Sequence, residues 1–307
     1  MRVSISVVCY NQEKTIEYTV LSCLNQEYDD FEVIVSDDAS TDKTPQILTR
    51  LAELYPERLK IILNSTNVGI TKNCNICLSH CTGELIALCA GDDVLYPNKI
   101  PTQAKEFQNN NNLVFCYHPT HIIEKAIITR TIGNKRKDMV KDMYDYMARP
   151  GAYIPAPSAM IRKSAIPAYG YDEKIPTASD WLFNIECMSK GETLRIDKIL
   201  SAYRLHENNI GKSFIKYIDD FLLTEKILQE KYASKKASKS ARKGIKRILL
   251  GSIYRAVISS DVPLLNKSMS QYKSYNVITY HLLRLLLCFK VTKFLFSHAR
   301  KFIKRFV

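Results

Sequence analysis

Two pairs of adjacent carboxylates stand out among the 307 residues. Asp92 and Asp93 follow the apolar run Leu85–Cys89 and Gly91. Neighbouring carboxylates in an exposed turn repel each other unless a cation lies between or beside them. A hard divalent ion such as Mg2+ or Mn2+ takes such oxygens and commonly shares them with phosphates. A plain solvated Gly-Asp turn explains the same residues without a ligand. Asp37 and Asp38 close a second apolar run, Phe31–Val35. Ser40, Thr41 and Asp42 are placed to cap the helix that starts near Thr44-Pro45, whereas Asp37 and Asp38 come too early to be needed for that. A carboxylate at the end of a strand can accept a hydrogen bond from a nucleobase imide or a ribose hydroxyl.

The elements that must position these residues alternate. Val3–Tyr10, Phe31–Val35, Leu59–Leu63 and Leu85–Cys89 read as strands. Between them Glu13–Gln26, the segment carrying Ile47, Leu48, Leu51 and Leu54, and Ile70–Cys81 have helical spacing. Strands separated by helices of about a dozen residues imply right-handed parallel crossovers and an α/β, doubly wound sheet. Such sheets bind ligands beyond the carboxyl ends of their strands, where Tyr10-Asn11-Gln12-Glu13, Asp37-Asp38, Asn67 and Asp92-Asp93 all fall. Further on, Leu113–Tyr117 and His121–Thr131 read as strands, the second one antiparallel. Gly133–Asp142 reads as a charged loop. Pro155–Ser158 reads as an extended entry to a short strand, Asp180–Lys190 as a helix and Leu194–Leu205 as one strand ending at His206. From Phe214 the pattern is helical, which divides the chain at 1–213 and 214–307.

In order and spacing the sequence resembles glycosyltransferase family 2. The resemblance covers about residues 3–210. It rests on Val7-Val8-Cys9-Tyr10-Asn11, Leu21–Gln26, Phe31–Asp42, Asn67-Val68-Gly69 with Asn73, Gly83-Glu84-Leu85-Ile86 leading to Asp92-Asp93, and Ser179-Asp180-Trp181. It implies a GT-A fold, a Rossmann-like, mostly parallel sheet flanked by helices, here with an α-helical C-terminal extension. It implies an inverting transfer from a nucleotide sugar. By position, Asp38 matches the aspartate that binds the base, usually uracil, while Tyr10, Asn11 and Glu13 lie on the loop lining the same pocket. Asp92 and Asp93 match the Asp-x-Asp-type metal motif, with Asp93 favoured for the metal and Asp92 for sugar or ribose. Asp180 matches the catalytic base, and a helix N-cap is its plainer explanation. His206 lies near where some GT-A enzymes place a further metal or diphosphate contact; an ordinary loop histidine is the alternative. Asn67 and Asn73 match a pattern that is read as structural.

Other signals exclude more than they suggest. Cys74, Cys77 and Cys81 fall on one face of a helix, where thiols act as small hydrophobes, and no second pair stands at zinc spacing. No Gly-x-Gly-x-x-Gly or phosphate-loop motif occurs, which disfavours dehydrogenase and P-loop readings. Nine scattered cysteines suit a reducing compartment better than a disulfide framework. No secretory signal and no run of 18 apolar residues is read from the sequence.

Charge is segregated. Residues 1–215 carry 24 Lys and Arg against 26 Asp and Glu, residues 216–307 carry 20 against 5, and the net is +13. Lys231–Arg247 is dense in cations. In a helix over about 280–307, Lys290, Lys293, Ser297, Arg300, Lys301 and Lys304 share one face and Val291, Leu295, Phe296, Phe302, Ile303 and Phe306 the other, with Phe294 the exception. That pattern fits an anionic membrane interface; packing on the catalytic domain is the alternative, and nucleic acid is disfavoured. The reading is an inverting, hexosyltransferase-type enzyme using Mn2+ or Mg2+. It would move sugar from a UDP-sugar to a glycan or lipid-linked saccharide in surface polysaccharide synthesis, in the cytoplasm and peripheral on the membrane's inner face. A non-catalytic nucleotide- or saccharide-binding protein on the same fold is the rival.

Overall fold

Val3–Cys9 (β1) and Phe31–Asp37 (β2) are β-branched and almost wholly buried. Continuous burial of this kind marks central strands covered on both faces. A computed structural model of the chain describes residues 1–133, 139–149, 154–205 and 214–288. The chain divides into two compact units, residues 1–146 with 152–209, and residues 147–151 with 210–307.

In the first unit, helix α1 (Ile16–Leu24) buries Ile16, Thr19, Val20 and Cys23, one stripe of a helix. Helix α2 (Thr44–Leu54) starts with Pro45 in its first turn and buries Thr44, Leu48 and Leu51. These helices, β3 (Leu59–Leu63), α3 (Ile70–His80) and β4 (Leu85–Ala90) complete the alternation. Strand β5 (Val94–Leu95), helix α4 (Lys99–Asn109), β6 (Leu113–Tyr117), β7 (Thr120–Glu124), β8 (Ile127–Ile132) and α5 (Met143–Met147) follow. Then come β9 (Met160–Arg162), α6 (Asp180–Met188), β10 (Glu192–Arg195) and β11 (Ser201–Leu205). The large sheet has the order β10-β6-β9-β4-β1-β2-β3. Its neighbours are parallel except β9, which runs antiparallel to β4 and β6. A smaller sheet has the order β5-β11-β7-β8.

Three expectations are corrected. His121–Thr131 is the hairpin of β7 and β8, which turns at Lys125 (φ 49°) and Ala126 (φ 66°). Two left-handed residues are what a two-residue hairpin turn needs, but no Gly or Asn announces them here. Pro155–Ser158 is not extended: Ala156–Ser158 forms a 3-10 turn, with both the N–H and the Oγ of Ser158 bonded to the Pro155 carbonyl. Leu194–Leu205 is two strands in different sheets, β10 beside β6 and β11 beside β5 and β7. The expected loop Gly133–Asp142 lies partly outside the described residues.

The described residues of the second unit are mostly helical. Its helices are α7 (Phe214–Lys231), α8 (Lys235–Ser259), α9 (Val262–Tyr275) and α10 (Val277–Cys288). The Ser234 Oγ accepts from the Ala237 N–H at 3.1 Å, and Asp261 Oδ1 from the Leu264 N–H at 2.9 Å, capping α8 and α9. Ala237, Ala241, Ile245, Ile248 and Leu249 of α8 are buried.

Candidate active site

Strand register brings the polar loops to one edge. Cys9 pairs with Asp37, Asp37 with Leu63, and Val8 with Ala90, so β1 to β4 end level with one another. The chain stays tied as it leaves them: the Asp38 N–H donates to the Cys9 carbonyl at 3.0 Å, Asn64 N–H to Asp37 O at 3.0 Å and Gly91 N–H to Val8 O at 2.9 Å.

The first two loops are latched together. Asn11 takes a left-handed φ of 51°; its N–H donates to Ser40 Oγ at 2.7 Å and its Oδ1 accepts from the Thr41 N–H at 2.8 Å. Glu13 Oε2 accepts from the Lys43 N–H at 3.1 Å, while its own N–H donates to Asp42 Oδ2 at 3.0 Å. Tyr10 is 47% exposed at the rim. Asp37 shapes the turn, accepting from the Ser40 N–H at 2.9 Å and Ser40 Oγ at 2.5 Å.

Asp38 is buried. Its Oδ1 accepts from the Val68 N–H at 2.8 Å and Asn64 Nδ2 at 3.3 Å, and its Oδ2 from the Gly69 N–H at 2.9 Å. The carboxylate thus holds the entry to α3 in place. Asn73 supports the same corner: Oδ1 accepts from Ser36 Oγ at 2.6 Å and Asn64 Nδ2 at 3.0 Å, and Nδ2 donates to Ser36 O at 3.0 Å.

Asp93 is wholly buried. Its Oδ1 accepts from the Arg204 N–H at 2.9 Å, and Arg204 Nε donates to the Asp92 carbonyl at 2.8 Å. Oδ2 of Asp93 has no hydrogen-bond partner. Burial pushes the Asp93 carboxyl well above the usual carboxylate range, and the adjoining Asp92 charge raises it further. Gly91 is required where it stands: a Cβ there would lie 2.1 Å from Gln12 Oε1 and 2.6 Å from Cys9 Cβ.

Asp180 opens α6, half-buried. Burial raises its carboxyl to about 6, opposed by the Trp181 N–H. Thr71 of α3 fixes this helix start. Its Oγ1 donates to Ile175 O at 2.7 Å and lies 3.0 Å from Ser179 Oγ. Asp180 and Asp38 both lie close enough to Cys74 for their charges to raise its thiol, which burial raises most.

Asp38 and Asp180 therefore flank the start of α3, and Asp92-Asp93 occupies the same sheet edge. His206 lies outside the described residues. Sequence reading missed Arg204, which fastens the Asp92-Asp93 turn from 111 residues away. Its only trace in the sequence is its place before Leu205-His206. Cys77, buried on α3, acts as a packing group, contacting Ser6 Oγ at 3.1 Å and the Ile34 carbonyl at 3.4 Å. Among the described residues no three His, Cys, Asp or Glu side chains converge as metal ligands.

The sequence model of glycosyl transferase family 2 matches residues 4–170, more than half of the chain, and the chain belongs to that family. A Mycobacterium tuberculosis protein of uncharacterized function is 31% identical over 221 residues, which are 68% of this chain and 60% of that protein. The chain thus spans about 60% of the length of this relative. The structure of S. aureus TarS 1–349 in complex with UDP-GlcNAc has a TM-score of 0.66 at 19% identity, over 90% of this chain and 81% of that one. The mannosyltransferase PcManGT of Pyrobaculum calidifontis, in complex with GDP-Man and Mn2+, has a TM-score of 0.58 at 15% identity, over 94% and 80%. These likenesses define the GT-A fold.

Proposed function

We propose that this protein is an inverting glycosyltransferase that moves a hexose-type sugar from a UDP-sugar to a hydroxyl of a glycan or lipid-linked saccharide, in surface polysaccharide synthesis. The observation that carries the reading is the set of carboxylates, Asp38, Asp92-Asp93 and Asp180, raised on separate elements at one sheet edge, with a buried oxygen of Asp93 left unpartnered. Both solved neighbours hold a nucleoside diphosphate sugar, which supports the donor class. The uridine preference rests on Asp38, whose Oδ2 accepts one N–H and keeps a lone pair for a base imide. Tyr10, Asn11 and Glu13 would line the same nucleotide pocket.

In the reaction an acceptor hydroxyl oxygen attacks the anomeric carbon as the bond to the diphosphate oxygen breaks on the opposite face. Asp180 takes the hydroxyl proton. One displacement inverts the anomeric centre. The unpartnered Asp93 oxygen beside Asp92 suits a hard divalent cation, whose remaining positions substrate phosphates can fill. Bound there by Asp93 and Asp92, with His206 a further candidate ligand, Mn2+ or Mg2+ would offset the charge growing on the departing diphosphate. A lipid-linked acceptor would place the reaction at the cytoplasmic face of a membrane.

The test is a panel of nucleotide sugars with Mn2+ or Mg2+, reading nucleotide release and the anomer formed. UDP-sugar turnover with inversion is expected. Retention of configuration overturns the mechanism, and turnover with a guanosine donor alone overturns the base assignment.

A further inference from the structure

The helical unit carries two surface stripes that the proposed reaction does not use. Residues 231–259 contain nine Lys and Arg and no Asp or Glu. On α8, Lys235, Lys239, Arg242, Lys243 and Lys246 fall within one face at 100° per residue. The opposite face buries Ala237, Ala241, Gly244, Ile245 and Ile248. Lys235, Lys239, Arg242 and Lys243 are exposed. On α10, Ile278, Leu282 and Leu285, spaced at i, i+4 and i+7, are 77%, 56% and 58% exposed. Side chains tie α8 to the corner between α9 and α10. There Arg242 Nη2 donates to the Ser274 carbonyl at 2.8 Å, its guanidinium lies 4.7 Å from the centre of the Tyr275 ring, and Lys273 Nζ lies 5.8 Å from that of Tyr280.

We propose that the helical unit docks on an anionic lipid membrane, with the α8 cations against headgroups and the α10 side chains in the acyl boundary. This goes beyond the catalytic reading and does not depend on it. Duplex nucleic acid would meet the cations but gives the three exposed aliphatic side chains no apolar environment. A lipid surface accommodates both stripes. The sequence beyond the described residues, 289–307, continues the charge with six Lys and Arg and no acid. Among the described residues no helix is long and apolar enough to cross a membrane, which fits attachment from one side.

The test is co-sedimentation of the full chain with phosphatidylcholine vesicles, plain or containing phosphatidylglycerol. Binding is expected only to the anionic vesicles at about 0.1 M salt, with loss at about 0.5 M. Each cation at such a surface contributes about a fivefold factor, so the triple variant Lys235→Gln, Lys239→Gln, Lys243→Gln should partition about 100-fold more weakly. The triple variant Ile278→Ser, Leu282→Ser, Leu285→Ser should lose at least about tenfold. Equal binding to neutral vesicles, or tighter binding to duplex DNA at the same salt, overturns the proposal. So does unchanged vesicle binding by the serine variant alongside a fall in its melting temperature, since the α10 stripe would then be covered by another part of the chain.

Discussion

A carboxylate serves as a base only when ionised, and burial moves that condition toward neutrality. Asp180, raised to about 6, is half-protonated near that pH. With Asp180 as the base, kcat/KM should be level above about pH 7 and fall tenfold per unit well below pH 6, because the neutral acid cannot take the acceptor proton. Asp180→Asn should lower kcat about 10²–10⁴-fold and leave donor affinity within about twofold, as read by calorimetry with a UDP-sugar. Unchanged turnover would remove Asp180 from the reaction. A protein that only bound saccharide or nucleotide would have no turnover to lose. Asp38 calls for a different test, since its carboxylate already accepts three hydrogen bonds. In Asp38→Asn an amide N–H faces the Val68 or Gly69 N–H, leaving a buried donor unsatisfied, at about 1–3 kcal/mol. A lowered melting temperature together with weaker nucleotide binding is expected. The acidic pairs and their order were legible in the sequence. The occupation of Asp38 by backbone donors was not, because those donors come from Val68 and Gly69 after another strand.

At the scale of elements, the site depends on loops that leave level strand ends and are tied to one another. Gly91→Ala would force a Cβ against Gln12 and the Cys9 Cβ, and overpacking of this kind costs about 1–3 kcal/mol. Gly83→Ala is equally crowded, 2.5 Å from the Ser4 backbone nitrogen, but next to the opposite ends of the strands. Both variants should melt earlier, and only Gly91→Ala should also weaken nucleotide binding; equal binding losses would mean that the Gly91 turn has no special part in the site. Most of these elements could be read from apolar periodicity and turn residues. The β7–β8 hairpin and the split of Leu194–Leu205 could not, since the turn at Lys125-Ala126 lacks its usual residues and a strand's choice between two sheets is a matter of distant partners.

Over the whole molecule, charge and chemistry are separated: the carboxylates lie in a first unit that is close to neutral, and the cations concentrate in the helical unit. If the Asp92-Asp93 turn holds a divalent cation with the donor's phosphates, EDTA should abolish transfer, and Mn2+ or Mg2+ should restore it. The same ion should enlarge the melting shift given by UDP, a readout independent of turnover. Full activity in EDTA would remove the ion from the mechanism. The sequence by itself determined the alternating α/β order, the carboxylate pairs at strand ends and the basic helical extension, because apolar periodicity and turn chemistry are local properties. Only the tertiary structure decided that Arg204 clamps Asp92 and Asp93, that Asp38 locks the start of α3 and that Thr71 ties α3 to the helix carrying Asp180. Each of those contacts joins residues 30 to 112 positions apart, and only the packing of the two sheets and their helices sets such pairings.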